Sequence, residues 1–213
     1  MARRIVVIDY GMGNLRSVSK AVEHVAGDAE VLVTDDPGLI ASAERVVFPG
    51  QGAARDCMRA IGEHQLRRAV LEAAQTKPFL GICMGMQVLL QHSEENGGTD
   101  LLGLYEGEVR RFAGNAKGAD GILLKIPQMG WNRVRPTRAH PLWDGIEPGS
   151  RFYFVHSYYV DPLDRSLVAG TTDYGLDYAS VIARDNVFAV QFHPEKSAQA
   201  GLRLLANFCG WQA

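Results

Sequence analysis

The chain has 213 residues, 46% hydrophobic and 22% charged, with a formal net charge of −2. That length supports one generous domain with a proper core, and the near-neutral balance gives no global field to attract nucleic acid or an anionic membrane. No run of 18 apolar residues reads as a bilayer span, and three well-separated cysteines without metal spacing predict neither a disulfide framework nor a metal centre, and point to a reducing, cytoplasmic compartment.

The first apolar run, after two arginines, is closed by Asp9 after four residues. It is too short for a secretory segment and predicts a buried strand over 3–9. Val18, Ala21, Val22 and Val25 then recur at helical spacing over 14–27, with Asn14 as a cap and Gly27 as a stop. Strands follow at 29–34 and, after a short helical stretch, at 44–50. A helix is predicted over 64–75 and a strand over 78–82. Strands alternating with helices predict a parallel sheet covered on both faces. The second half changes style. Strand-like runs occupy 103–112, 151–160, 166–174, 178–185 and 186–194, the last two as a hairpin, with a loop at 113–121 and a closing helix at 198–209. The expectation is one domain over 1–213: an α/β fold with a mixed, mainly parallel sheet, helices on both faces and added antiparallel strands.

Cys83 stands at the junction of a strand pattern and a helix pattern, in "FLGICMGMQ", with Gly81 and Gly85 two residues away on either side. A nucleophile on a tight strand-to-helix turn stands clear of the backbone, and small neighbours make room for it. Free N–H groups at the start of the helix favour thiolate and can hold a tetrahedral oxyanion, typically worth about 3 kcal/mol per donor. The alternative is that Cys83 is a small buried hydrophobe. Cys57 and Cys209 lie in helical patterns without such a turn.

A thiol nucleophile needs a base. Of six histidines, His24, His64 and His92 fall in helical stretches and His140 in a polar loop, so each reads as a surface residue. His156, inside "FYFVHSYYV", reads as structural or binding. His193 precedes Pro194, and Glu195 puts a carboxylate two residues away, suited to fix the imidazole tautomer and stabilise imidazolium.

With "PGQGA" (49–53), "GICMGMQ" (81–87) and "FHPEK" (192–196) in this order, the chain resembles the class I glutamine amidotransferases, whose fold is flavodoxin-like. "IDYGMGN" (8–14), "MGWN" (129–132), "FVHSY" (154–158) and "FHPEKS" (192–197) are similar to the branch of that family that serves histidine biosynthesis, and the matching motifs span nearly the whole chain. The resemblance implies that Cys83 attacks the side-chain carboxamide of glutamine, that His193 moves the proton and that Glu195 orients His193. It implies an oxyanion hole from the backbone of Met84 and of Gly52, in a turn that rearranges and whose centre, Gln51, differs from the residue many members carry. It implies that Gln87 and the backbone of Ser157 and Tyr158 hold the α-carboxylate, and that Glu95 meets the α-amino group.

No phosphate-binding loop or dinucleotide fingerprint is present, and the resemblance implies no cofactor. It implies that ammonia passes to a separate (β/α)8-barrel cyclase subunit in a heterodimer, with Asn14, Trp131, Asn132 and Lys196 facing it. Without that implication Lys196 reads as a solvated charge, Trp131 as core, and the asparagines as cap or turn. Amidotransferase subunits of anthranilate or aminodeoxychorismate synthesis typically carry histidine where Met86 stands and a residue other than lysine after the glutamate, so "MGMQ" and "HPEKS" argue against them. A free-standing thiol hydrolase acting on γ-glutamyl peptides and an inactive scaffold are the readings from other classes.

Overall fold

Runs of β-branched and aromatic residues, each closed by glycine, aspartate or a turn, build the centre of a large sheet. In a computed structural model, which describes residues 3–118 and 121–213, the elements in chain order are β1 (Arg4–Ile8), α1 (Leu15–Val25), β2 (Glu30–Thr34), α2 (Pro37–Ser42), β3 (Arg45–Gly50), α3 (Ala54–Glu63), α4 (Arg67–Thr76), β4 (Phe79–Cys83), α5 (Met84–Gln87), β5 (His92–Ser93), β6 (Thr99–Asp100), β7 (Gly107–Arg111), β8 (Gln128–Arg133), β9 (Arg135–Pro136), β10 (Arg151–His156), β11 (Tyr158–Pro162), β12 (Val168–Asp173), β13 (Asp177–Arg184), β14 (Val187–Val190) and α6 (Ala198–Gly210).

The main sheet runs β2-β1-β3-β4-β14-β13-β11-β7-β5-β6. Its first five strands are parallel; β13 joins β14 antiparallel and carries β12 and β11, also antiparallel. This is the mixed, mainly parallel sheet expected. β3, β4 and β14 are buried along their whole length, which explains why they read as continuous apolar runs rather than alternating ones. One face packs Val6, Ile8, Val46 and Phe48 against Ile40, Ile61 and Val70 of α2, α3 and α4. The other packs Ile5, Val7, Val47 and Leu80 against Val18 and Val22 of α1 and Leu204 and Phe208 of α6.

Several expectations change. The run 151–160 is two strands in different sheets: β10 pairs only with β8 in a two-stranded ribbon, and β11 pairs with β7 and β13. The break follows His156, where the His156 ring and the Gln87 amide both donate to the Tyr158 carbonyl. The helix to the right of Cys83 is one turn. The Val88, Leu89 and Leu90 carbonyls accept from Leu102, Tyr105 and Gly103 instead of continuing it, and His92 consequently lies on a strand, not a helix. The helix expected over 64–75 starts at Arg67, because Gln65 takes a φ of +55° and separates it from α3. The strand expected from 103 starts at Gly107, and "MGWN" forms part of β8.

Candidate active site

The carboxyl ends of β1, β3, β4 and β14 converge, with the chain order reversing between β1 and β3, which is where open α/β sheets bind ligands. A cavity of about 590 Å³ opens there. Gly11–Gly13 after β1, Gln51 and Gly52 after β3, Cys83 and Met84 at the end of β4 and His193 after β14 all line it.

Cys83 has φ 55° and ψ −109°, a conformation that costs a residue with a side chain on the order of 1–3 kcal/mol. The turn is held by contacts that only glycine allows. A Cβ at Gly85 would lie 1.9 Å from the Phe48 carbonyl oxygen, and one at Gly81 would lie 2.8 Å from the Gly85 carbonyl oxygen and 2.9 Å from the Ala189 Cβ. Since α5 is a single turn, its contribution is the N–H of Met84 rather than a helix macrodipole.

His193 is buried and its Nδ1 lies 2.9 Å from Glu195 Oε1. The Nδ1–H therefore donates to the carboxylate, and Nε2 is the free nitrogen. Nε2 has no hydrogen-bond partner, nor has Glu195 Oε2, and the Glu195 side chain is fully buried. Burial alone would push His193 down. The Cys83 sulfur and the Glu195 carboxylate outweigh it and lift the imidazole to about 10, because both neighbours favour the charged ring.

The turn 49–52 is clamped from beneath. Tyr10 donates its hydroxyl to the Pro49 carbonyl at 2.9 Å, and the Cys57 thiol donates to the Gln51 carbonyl at 3.5 Å. Burial pushes the Cys57 thiol up to about 12, so it keeps its proton. Glu95, on the cavity wall, accepts from the Ala54 N–H at 2.6 Å through Oε2. Gln87 is buried, and its Nε2 donates to the Tyr158 carbonyl at 3.0 Å and to Gln191 Oε1 at 2.9 Å. Both of its N–H groups are thus engaged within the protein. Ser157 and Tyr158 line the cavity beside it.

His156 is fully engaged as well. Its Nδ1 donates to the Tyr158 carbonyl at 2.8 Å, its Nε2 faces Gln128 and Tyr178, and burial lowers it to about 4. Gln191 was not singled out from the sequence, yet its amide nitrogen lies 3.8 Å from Cys83 Sγ. The available signal was one polar residue inside the apolar run from Val187 to Phe192.

Trp131 is 48% exposed rather than core, and stands edge-on to Tyr153 at 6.2 Å; Lys196 Nζ lies 5.9 Å from the same ring. Val155, two residues along β10 from Tyr153 and on the same face, lines the cavity, so this patch runs to its mouth. Asn132 is committed internally, donating to the Asp173 carbonyl and accepting from the Arg133 N–H, each at 2.8 Å. Asn14 occupies the first cap position of α1, but its side chain makes no cap hydrogen bond. Among the described residues no group of three His, Cys, Asp or Glu is arranged to hold a metal ion, and no helix is long and apolar enough to cross a membrane.

The family model "Glutamine amidotransferase class-I" matches residues 6–210. The chain is 59% identical over 209 residues to the imidazole glycerol phosphate synthase subunit HisH of Dechloromonas aromatica, covering 98% of this chain and 96% of that protein. It is 60% identical over 212 residues to the subunit of the same name from Thiobacillus denitrificans, covering 99% and 92%. Among solved structures, PurLQS from Thermotoga maritima superimposes with a TM-score of 0.72 at 19% identity, covering 99% of both chains, and a glutamine amidotransferase does so with 0.69 at 18%, covering 97% and 99%. At those identities the structures speak for the fold.

Proposed function

From the premise that the chain belongs to the class-I glutamine amidotransferase family, we propose that it is the glutaminase subunit of imidazole glycerol phosphate synthase in histidine biosynthesis. The whole chain acts as one glutaminase domain, releasing ammonia from glutamine for a separate (β/α)8-barrel cyclase. The observation that carries this reading is Cys83 on a strained, glycine-flanked turn, electrostatically coupled to His193 in one cavity, with Glu195 bonded to the far side of the ring.

The reaction follows from those groups. The Cys83 thiolate attacks the carboxamide carbon, and the oxyanion that forms is held by the N–H groups of Met84 and Gly52. Imidazolium at His193 gives its Nε2 proton to the departing ammonia, leaving a γ-glutamyl thioester. His193, now neutral, takes a proton from water as it attacks the thioester; collapse of the second tetrahedral intermediate releases glutamate and returns the thiolate. Glu195 keeps Nε2 directed at the reacting atoms and stabilises the imidazolium form. The α-carboxylate sits at the backbone of Ser157 and Tyr158 beside Gln87, and the α-amino group meets the Glu95 carboxylate. Trp131, Lys196 and the asparagines Asn14 and Asn132 form or border the face that the cyclase covers.

The test is glutamate release by the purified chain, alone and then with the cyclase and its nucleotide ligand. Acceleration by the partner is the expected result. Equal rates in both conditions would favour a free-standing hydrolase.

A further inference from the structure

Three side-chain contacts connect the segment proposed to bind substrate to the sulfur of Cys83. The Tyr158 carbonyl oxygen can only accept, and it receives both the His156 Nδ1–H at 2.8 Å and the Gln87 Nε2–H at 3.0 Å. That fixes which end of the Gln87 amide faces Tyr158. The second N–H of Gln87 then points at Gln191, which must answer with its oxygen, at 2.9 Å. Gln191 is thereby left with its Nε2 toward Cys83 Sγ, at 3.8 Å. Turning the Gln191 amide over would set N–H against N–H at Gln87. Gln191 is fully buried, so an amide turned the wrong way could not exchange these partners for bulk water.

We propose that Gln191 is a further catalytic residue of the glutaminase reaction, whose amide N–H, aimed by Gln87 and the Tyr158 carbonyl, stabilises the thiolate form of Cys83. A hydrogen bond to an anionic acceptor is stronger than one to a neutral acceptor, so the contact favours the charged sulfur before attack and again when the thiolate leaves the tetrahedral intermediate of deacylation. It rests on the reading of Cys83 as the nucleophile.

The test is iodoacetamide alkylation of the full chain from pH 5 to 9, with the Cys83 peptide followed by mass spectrometry, in the wild type and in Gln191→Met and Gln191→Glu. Cys57 and Cys209, pushed up to about 12 and about 11 by burial, stay protonated across most of this range. Loss of the donor in Gln191→Met is expected to slow Cys83 alkylation about tenfold at pH 7 and to move the profile to higher pH, with the same plateau. Gln191→Glu, which keeps the shape and reverses the polarity, is expected to move it further. A change of packing alone would alter the plateau and leave the profile in place. Wild-type profiles in whichever variant folds would overturn the proposal. Glutamine hydrolysis by Cys83→Ala, measured in parallel, would instead overturn the glutaminase reading.

Discussion

Gly85 abuts the backbone of Phe48 so closely that a Cβ at position 85 would lie 1.9 Å from the Phe48 carbonyl oxygen. The obstacle is backbone of a central strand, which cannot turn aside as a flexible side chain could. Gly85→Ala is therefore expected to displace the Cys83 turn, to destabilise the fold by about 2–4 kcal/mol and to reduce glutaminase activity more than the stability loss alone would. Thermal unfolding and glutamate release on the same preparation check both parts. A variant with wild-type melting and turnover would show that the turn tolerates a side chain.

Glu195→Gln keeps a side chain of the same shape but removes the charge beside His193 Nδ1. The expected loss is about 10²- to 10⁴-fold in kcat, with a smaller change in KM. The pair also carries a pH signature. His193 is raised from 6.5 to about 10, so its contribution to stability is complete below pH 6.5 and is lost as pH rises through 10. Melting temperatures of the variant should fall less steeply than those of the wild type across that window. Parallel slopes would contradict the assignment.

His156 has the opposite sign. Burial lowers it from 6.5 to about 4, so the unfolded chain takes up a proton that the native site refuses, and stability falls as pH drops from 6.5 toward 4. The full effect is on the order of 3 kcal/mol. His156→Asn retains a donor for the Tyr158 carbonyl but does not titrate. Its stability is expected to decline less over this range in denaturant titrations at pH 7, 5.5 and 4.5; identical declines would remove His156 as the source.

Trp131 presents a large ring half out of the surface, braced by Tyr153 and next to Lys196. Aromatic anchors of this kind dominate interface energies. Trp131→Ala is expected to weaken cyclase binding by about 2 kcal/mol, roughly 30-fold in Kd, while leaving the melting temperature of the isolated chain nearly unchanged. Calorimetric titration with the cyclase measures this, and an unaltered Kd would place the docking face elsewhere.

The parallel half of the fold was legible because its central strands β3, β4 and β14 are buried on both sides and stand out as apolar runs between helical periodicities. The Cys83 turn was legible for a related reason: glycines at 81 and 85 mark backbone approaches that no other residue permits. The break after His156 was not, since the run 151–160 carries no glycine or proline, and the switch of sheet depends on partners at β8, β7 and β13 far away in sequence. β8 itself was missed as a strand because Gly130 and Asn132 depress its β character. The one-turn length of α5 is set by the N–H groups of Leu102, Gly103 and Tyr105, which no local window contains. Gln191 escaped for the same kind of reason, as its partner Gln87 is separated from it by 104 positions.

The proposed role of Cys83 is to release ammonia from glutamine for use by another subunit. The most direct measurement is synthesis by the reconstituted complex carrying Cys83→Ala, supplied with either glutamine or ammonium salt. Glutamine-dependent synthesis is expected to be abolished and ammonium-dependent synthesis to persist at the wild-type rate. Retention of glutamine-dependent synthesis would contradict it, and loss of both would make Cys83 a structural residue.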